Sequence, residues 1–331
     1  MRIASFNLES LDDAPGMQPS LAERIAALRP QLLRLDADIL CLQEVNGQKR
    51  KGQATRELAA LEALLAGTPY GAFHRAQSHH IDGPGPAEKH NLVILSRWEI
   101  EAQRQVHHDL VAPPRYRPAT AVPPAEAAAP LRWDRPLLHA TLRLPGGARL
   151  QVINLHLRAP LAAPVAGQKL GALAWKSTGG WAEGFFLASL KRSGQALEAR
   201  LLVESLFDAA AEALIAVCGD FNAEVEEVPL RILRGDPEDS GNPELAARRL
   251  LPLEQGLPEA RRYSVLHKGR RLMLDHLLAS PALAARHVRL EVHNEALADE
   301  YFAALDGHPN PGSFHAPLLA CFQMPVLPGA S

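Results

Sequence analysis

Several short apolar runs in this sequence stop abruptly on polar residues, and this pattern limits the folds open to the chain. In "LIAVCGDFN", residues 214–218 are apolar, and Asp220 and Asn222 then follow on either side of Phe221. A run of this length is typical of a buried β-strand, in which residues two apart lie on the same face. We therefore predict a buried strand that presents Asp220 and Asn222 together at its end.

The same pattern recurs along the whole chain. The run "RIASFN" ends at Asn7, "ADILCLQE" ends at Glu44, and the second strand of a predicted β-hairpin carries His156. Ionisable groups within apolar runs must be partnered if they are buried, so the set predicts one functional site. The polar residues at the strand ends are Asn7, Glu44, His156, Asp220, Asn222, Asp275 and His315.

Amphipathic patterns between these runs predict helices. Ser20 and Glu23 form a capping-box signature before a leucine-rich stripe, and Pro30 should kink or restart that helix. Thr55 is predicted to cap a second helix that ends near Gly67. Helix, strand and hairpin patterns in this order predict a mixed α/β protein with stacked sheets and helices outside them.

Two segments lack a regular period. Residues 111–130 are rich in proline and alanine, and residues 159–194 combine aromatic and basic residues just after His156. We interpret both as irregular insertions in a single domain that covers residues 1–331. The second insertion is predicted to form a lid or a substrate wall near the site.

The composition restricts the cellular setting and the partners. Lys and Arg total 35 and Asp and Glu total 37, and a net charge of -2 provides no global positive field for nucleic acid. Three widely spaced cysteines, Cys41, Cys218 and Cys321, do not suggest a disulfide framework. No apolar run approaches the roughly 20 residues that a membrane span needs. We expect a globular, cytoplasmic protein without a membrane span.

The polar set combines carboxylate and amide oxygens with imidazoles. Such oxygens are hard ligands that suit Mg²⁺ or Mn²⁺, whereas the clustered Cys and His of a structural zinc site are missing from the sequence. A hard divalent ion stabilises charge on a phosphate oxygen or lowers the pKa of bound water, and a nearby carboxylate or histidine can take a proton from that water. The set therefore predicts metal-dependent phosphoester hydrolysis.

The ordered motifs resemble those of a known superfamily. The motifs, in chain order, are "SFN", "LCLQEV", "VILSR", "NLHL", "CGDFN", "MLDHLL" and "FHAPL". This series, which covers nearly the whole chain, resembles the endonuclease/exonuclease/phosphatase superfamily with the DNase I-like fold. The resemblance implies a four-layer α/β/β/α sandwich with two packed mixed β-sheets and a site at one edge.

The resemblance also implies roles for the strand-end residues. Glu44 would be the principal metal ligand, with Asn7 beside it, bound directly or through water. Asp220 would orient or deprotonate the attacking water, and Asn222 would hold the scissile phosphate. His315 would contact the phosphate and stabilise its charge, and Asp275 would hydrogen-bond to the His315 imidazole and fix its tautomer. His156 would contact the phosphate or the leaving group.

One departure from the family pattern concerns the metal. The family usually has Ser-Asp-His before the last strand, and this chain has Ser313, Phe314 and His315. The missing aspartate commonly contributes to metal binding in the family. We therefore predict one tightly bound metal ion.

The sequence leaves three functions to compare. The first is a phosphohydrolase that cleaves a phosphodiester or a phosphomonoester by direct water attack, on a small molecule or a lipid headgroup. The second is a nuclease for short or single-stranded nucleic acid, with local basic patches at residues 49–56 and 261–271. The third, suggested by Phe314, is a catalytically silent protein that binds a phosphate ligand.

Overall fold

The computed structural model describes residues 1–172, 174–307 and 309–324. The strands are β1 (Arg2–Leu11), β2 (Ile39–Val45), β3 (His74–Gln77), β4 (Asn91–Ser96), β5 (Ile100–Val106), β6 (Arg115–Tyr116), β7 (Ala129–Pro130), β8 (Leu137–Arg143), β9 (Arg149–His156), β10 (Leu214–Asp220), β11 (Leu251–Pro252), β12 (Val265–His267), β13 (Arg270–Leu272), β14 (Asp275–Ala279), β15 (His287–Val292) and β16 (Leu318–Phe322). The helices are α1 (Leu21–Leu35), α2 (Ala59–Leu65), α3 (Thr178–Ala209), α4 (Val228–Arg234), α5 (Pro237–Ser240), α6 (Pro281–Ala284) and α7 (Glu300–Asp306).

Most strands belong to two six-stranded mixed sheets. The first sheet has the order β15-β16-β1-β2-β4-β3, and the second has the order β11-β14-β10-β9-β8-β5. Each sheet has a central parallel pair, β1 with β2 and β9 with β10, and antiparallel neighbours on both sides. The pairs β6–β7 and β12–β13 form two small ribbons.

Three apolar clusters define four layers. The cluster between the sheets contains side chains from both, such as Ile3 and Cys218. A second cluster joins the outer face of the first sheet to α1 and α2, and a third joins the outer face of the second sheet to α3 and α4. The layers confirm the α/β/β/α sandwich that the sequence predicted. Among the described residues, no helix has the length and apolar character that a bilayer crossing requires.

The alternation along β10 shows how this sandwich builds a site. Ala216 and Cys218 point into the space between the sheets, and Ile215 and Val217 point toward the helices. With the two-residue period continued, the next inward position at the carboxyl end of the strand is Asp220. The inter-sheet core therefore ends in ionisable groups.

The second segment predicted to be irregular is shorter than expected. Residues 178–194 belong to α3, which begins after Ser177, whose hydroxyl accepts a hydrogen bond from the Gly180 amide at 3.0 Å. Several glycines in this part of the helix mask the helical pattern. A Cβ at Gly184 would clash with the Trp175 ring, and one at Gly194 would clash with the Trp133 ring, so glycine permits close packing there. Residues 111–130 carry only β6 and β7.

Two details of the first helices also differ from the prediction. Helix α1 has the predicted capping box at Ser20 and Glu23, and it continues through Pro30 instead of restarting there. Helix α2 begins at Ala59 rather than after Thr55. The backbone amides of Gln48 and Glu57 each donate to the carbonyl of the other residue. This antiparallel bridge keeps the residues before Ala59 out of the helix.

Candidate active site

The seven predicted site residues form one connected group at the end of the inter-sheet space. Asn7 and Glu44 come from the first sheet, and His156 and Asp220 come from the second. The Asn7 amide nitrogen donates to Glu44 Oε1 at 3.1 Å and to Asp220 Oδ2 at 3.0 Å. One side chain therefore links carboxylates from the two sheets, as the strand-end pattern predicted.

Glu44 is held by several donors. The backbone has a φ of 57° at Glu44, where the pairing of β2 with β4 shifts register, and this bulge turns the carboxylate into the site. Ser10 donates to Oε2 from its amide at 2.9 Å and from its hydroxyl at 3.0 Å. Burial favours the protonated acid, but His90, His156 and Asn7 outweigh it, so the pKa of Glu44 lies below its ordinary range. The site therefore holds Glu44 as a carboxylate.

Asp220 occupies the centre of the group and is 1% exposed. Its Oδ1 accepts from the Asn222 amide at 2.8 Å, and its Oδ2 lies 3.3 Å from His156 Nε2. Burial, followed by the charges of Asp275 and Glu44, raises the pKa of Asp220 to about 7 despite the nearby His315. A carboxyl group with this pKa can gain or lose a proton near neutral pH.

Gly219 allows β10 to approach its neighbour just before Asp220. The residue has a φ of 142°, and a Cβ there would clash with the backbone of Leu155 in β9. Asn222 also has a positive φ, of 49°, and its side chain donates to the Leu157 carbonyl at 3.1 Å. The turn after β10 is therefore fixed by backbone packing as well as by hydrogen bonds.

His315 and Asp275 form an acid–imidazole pair opposite Asp220. His315 Nδ1 lies 2.8 Å from Asp275 Oδ2, and its Nε2 lies 4.0 Å from Asp220 Oδ2. Burial disfavours the cation, but the charges of Asp275 and Asp220 outweigh it and raise the pKa of His315 to about 10. Ser313 secures the loop, because its hydroxyl donates to the Asn7 carbonyl at 2.8 Å and accepts from the His315 amide at 3.0 Å.

Two neutral polar residues, Gln43 and Asn154, lie between the sheets next to the site and connect the two sheets. The Gln43 amide nitrogen donates to Asn154 Oδ1 at 2.8 Å, and Asn154 donates to the carbonyls of Leu42 and Val93 at 2.9 Å each. Both side chains are fully buried. The sequence reasoning missed these two residues, although the inward positions of β2 and β9 change from apolar to polar there.

Two further residues near the site were also missed. His90 Nδ1 lies 3.6 Å from Glu44 Oε2, and Arg135 donates to the Leu157 carbonyl at 3.1 Å. Both line a cavity of about 230 Å³ beside the site. They precede β4 and β8 in loops, where no periodicity marks them, but both are ionisable residues immediately before an apolar run.

The loop at Phe314 places a carboxylate next to the position where the family aspartate is missing. The Phe314 amide donates to Glu9 Oε2 at 2.7 Å, and the Glu9 amide donates to Asn7 Oδ1 at 2.8 Å. Burial raises the pKa of Glu9, although the Phe314 amide, His315 and Arg24 act in the opposite direction. Glu9 and Phe314 also line a cavity of about 490 Å³.

Two groups of side chains in the described part of the chain could hold a metal ion. The first is Glu44 with His90 and His156, and the second is Asp220 with Asp275 and His315. In each group the ligand atoms lie within 4.8 Å of one another. The donor set therefore fits a divalent cation at Glu44. Asn7 directs its amide nitrogen, rather than its oxygen, toward Glu44, so its role as a metal ligand stays a prediction.

Helix α3 contacts the turn after β10. Arg192 donates to the Asn222 carbonyl, and Lys191 pairs with Asp134 at 2.6 Å on the rim of the same cavity as Arg135. These contacts place residues 191–192 of α3 beside the site. A lid function for residues 159–194 stays a prediction.

Comparisons with known proteins agree with this architecture. Residues 4–297 match the sequence profile of the Endonuclease/Exonuclease/phosphatase family. Among curated proteins, none matches the chain. Similar solved structures include an AP endonuclease from Archaeoglobus fulgidus, which is 18% identical with a TM-score of 0.54, and the match covers 98% of this chain and 100% of that one.

Two other structures show the same fold. A humanized TDP2 from D. rerio is 14% identical, with a TM-score of 0.57 and coverage of 98% of this chain and 99% of that one. The 3' phosphatase NExo from Neisseria, bound to a product DNA hairpin, is 21% identical, with a TM-score of 0.52 and coverage of 98% and 100%. The likeness extends over the whole sandwich of each.

Proposed function

The chain belongs to the endonuclease/exonuclease/phosphatase family, and from this membership we propose that it is a metal-dependent hydrolase of a phosphodiester or a phosphomonoester. One observation carries the proposal. The Asp220 carboxyl and the His315 imidazole face each other across 4.0 Å, and Asn7 connects Asp220 to the Glu44 carboxylate. A base, a cation and a metal ligand therefore surround one small space, as hydrolysis by direct water attack requires.

Asp220 is the residue that orients or deprotonates the attacking water. Burial and the neighbouring carboxylates raise its pKa to about 7, which suits proton transfer near neutral pH. Asn222 donates its amide nitrogen to Asp220 Oδ2 at 3.0 Å, and in the complex the same amide group holds the phosphate. Since Asn7 also donates to Oδ2, the direction of the Asp220 carboxylate is fixed before substrate binds.

His315 binds the phosphate as a cation. Asp275 holds its Nδ1, so Nε2 is the atom that faces the reacting group. His156 stays neutral, because burial and then Arg135 lower the pKa of His156 well below its ordinary value. With Nε2 3.3 Å from Asp220, His156 lies against the phosphate or the leaving group.

Glu44 is the principal residue for the metal. A bound Mg²⁺ or Mn²⁺ supplies positive charge to a phosphate oxygen and lowers the pKa of bound water. Ser10 and Asn7 fix the two oxygens of Glu44 from opposite sides, so the carboxylate enters the site in one orientation. Asn7 would lie beside Glu44 in the metal site and would take part in holding the ion directly or through water.

A nuclease that acts on short or single-stranded nucleic acid is the second candidate. The ribbon β12–β13 lies beside the site, because Val265 forms a backbone bridge with His315. This ribbon and its turn carry Lys268, Arg270 and Arg271, which add positive charge within reach of an extended phosphate chain. The other substrate classes are a small phosphorylated molecule and a lipid headgroup.

Two further parts of the proposal concern the chain as a whole. We place the whole of residues 1–331 in one catalytic domain, since both sheets contribute residues to the site. We also place the protein in the reducing cytoplasm, because Cys41, Cys218 and Cys321 are buried free thiols.

An activity screen with Mg²⁺ and with Mn²⁺ tests the function. The substrates are oligonucleotides, chromogenic phosphodiesters and phosphomonoesters, and phosphoinositides. We expect hydrolysis of one class by the wild type and a loss of about 100-fold or more in Asp220→Asn and Glu44→Gln. Substrate preference separates the two candidate functions.

Two outcomes contradict the proposal. If the wild type and both variants are equally inert on every substrate while a phosphate ligand still binds, the protein is a catalytically silent binding protein. If Glu44→Gln keeps full activity, the assignment of the metal site to Glu44 is wrong even though the protein is an enzyme.

A further inference from the structure

His90 has an unusual backbone conformation for its residue type. Its φ is 60°, in the left-handed region that favours glycine, so the backbone is strained at this non-glycine residue. The loop is fixed by the His90 amide, which donates to Asn46 Oδ1 at 3.1 Å. This conformation directs the imidazole toward Glu44.

The inward ring nitrogen of His90 has no partner. Its Nδ1 is buried and makes no hydrogen bond within the described residues. The nearest ionisable atom is Glu44 Oε2 at 3.6 Å, which exceeds the usual hydrogen-bond range of about 2.7–3.2 Å. An unpaired buried nitrogen and a strained backbone both destabilise the fold unless a ligand compensates for them.

His156 has the matching position on the other side of Glu44. Its Nε2 lies 3.6 Å from Glu44 Oε1, and its ring is nearly perpendicular to the ring of His90, with the centroids 5.8 Å apart. With metal–ligand bonds of about 2.1 Å, two ligands of one ion lie about 3.0–3.4 Å apart. Both imidazole nitrogens lie 3.6 Å from Glu44, and all three ligand atoms lie within 4.8 Å of one another, so a movement of the side chains would bring them onto one ion.

The donor types indicate which ion this group prefers. Two imidazoles and one carboxylate suit Mn²⁺, Co²⁺ or Zn²⁺, whereas Mg²⁺ favours oxygen ligands and water. We propose that Glu44, His90 and His156 form a metal site that binds a divalent transition-metal ion in preference to Mg²⁺, with His90 as a ligand. In this arrangement His156 Nε2 binds the ion instead of contacting the phosphate or the leaving group. This proposal rests on the proposed function, because it defines the ion class of the same site.

Metal binding to the full-length protein, stripped with a chelator, tests the assignment. Equilibrium dialysis gives the affinities for Mn²⁺, Zn²⁺ and Mg²⁺, and pulsed EPR of bound Mn²⁺ counts the coordinated imidazole nitrogens. For the wild type we expect Mn²⁺ and Zn²⁺ to bind more tightly than Mg²⁺, with two imidazoles on Mn²⁺.

The variants His90→Gly and His90→Asn remove the ligand, and both residues tolerate a positive φ. We expect each to lose one imidazole from the Mn²⁺ spectrum and to bind Mn²⁺ and Zn²⁺ at least about 10- to 100-fold more weakly. The affinity for Mg²⁺ should change little. His79→Ala is the control, because His79 is exposed and lines the same cavity without contacting Glu44.

The melting temperature of the metal-free protein checks that the variants fold. Since glycine relieves the strain at this position, His90→Gly should melt at or above the wild type when no metal is present. Unchanged Mn²⁺ affinity or an unchanged nitrogen count in both variants would overturn the assignment of His90. Tighter binding of Mg²⁺ than of Mn²⁺ by the wild type would overturn the proposed ion preference.

The results also separate this proposal from the proposed function. If His90 binds Mn²⁺ as expected and no phosphoester is hydrolysed with any ion, the function fails and the metal site stands. If hydrolysis proceeds and the His90 variants bind metal like the wild type, the function stands and His90 is not a ligand.

Discussion

Two acid–imidazole pairs lie on opposite faces of β14, at neighbouring residues. Asp275 points into the space between the sheets and pairs with His315, and His276 points outward and pairs with Glu254. The separations are similar, 2.8 Å for the first pair and 2.5 Å for the second. What differs is the use of the second ring nitrogen.

In the outer pair both ring nitrogens of His276 have hydrogen-bond partners. His276 Nδ1 faces Glu254, and its Nε2 lies 2.8 Å from the Ala223 carbonyl. The ring also packs edge-on against Phe221, and His276 is 0% exposed. This pair therefore holds the turn that carries Asp220 and Asn222, and it offers no ring nitrogen to a substrate.

In the inner pair the second ring nitrogen stays open. His315 Nε2 makes no hydrogen bond to Asp220 at 4.0 Å. The carboxylates do not differ in this way, because Asp275 Oδ1 and Glu254 Oε2 both lack a partner within the described residues. The His315 side chain is 16% exposed, against 0% for His276. The comparison indicates that an open, partly exposed ring nitrogen, rather than burial or pairing alone, distinguishes the proposed catalytic pair from the structural one.

We expect the largest effect of a substitution to be a loss of activity at the inner pair. We expect His315→Gln to lower kcat by about 10³-fold, close to 4 kcal/mol of transition-state stabilisation, because the cation that faces the phosphate is lost. The free energy of unfolding should also fall, because Asp275 loses its charged partner. Steady-state kinetics and denaturant unfolding measure both, and a loss of kcat below tenfold would contradict the assigned role.

The outer pair should differ in its effect on activity. We expect Glu254→Ala to reduce the free energy of unfolding by about 3 kcal/mol, because it leaves His276 buried without its charge partner. The folded variant should keep most of its kcat. Glu259→Ala, at an exposed residue in the next turn, is the matched control. Equal destabilisation by both variants would show that the pair contributes nothing specific.

The stability provided by the outer pair should depend on pH. Burial lowers the pKa of His276, but Glu254 and the Ala223 carbonyl outweigh burial and raise it above its ordinary value. This stabilisation is therefore fully present below a pH of about 6.5 and is lost as the pH rises through the raised pKa.

The free energy of unfolding of the wild type minus that of His276→Gln measures this contribution. We expect the difference to be larger at pH 6 than at pH 9. A difference that stays constant or grows between these values would mean that His276 is neutral in the folded protein.

The smallest expected effect is a change in metal affinity at Phe314, the residue before His315. Phe314 provides no carboxylate beside His315, so we expect the wild type to bind one Mn²⁺ tightly. Phe314→Asp should strengthen the binding of a further Mn²⁺ by roughly tenfold, about 1.4 kcal/mol. Calorimetric titration measures the stoichiometry, with Phe314→Asn as the uncharged control. Two tight ions in the wild type would contradict the prediction.

The sequence was sufficient to predict the strands and their polar ends. The period of two in β10 places Asp220 on the inward face, and buried ionisable groups require partners, so the pattern predicted a site without any distances. The same reasoning applies to Glu44 and His156. All seven residues predicted in this way lie close together, joined by hydrogen bonds or by ion-pair separations of up to 4.0 Å.

The remaining contacts depend on the tertiary structure. Glu254 lies in a short turn 22 residues before His276, and no spacing rule connects them. His90 lies in a loop, where its left-handed backbone cannot be read from residue type. The early start of α3 was hidden because its glycines fit against Trp133 and Trp175, which are distant in sequence. In each case the partner is determined by packing.

The hydrogen bond from Ser313 to the Asn7 carbonyl joins residues 306 positions apart. During synthesis on the ribosome, β1 therefore waits with an unpaired edge until β16 has been made and can add to it. Until then His315 has not been added to the site, and the Asn7 carbonyl lacks its hydrogen bond from Ser313. The candidate site is therefore complete only after the last strand of the first sheet has been made.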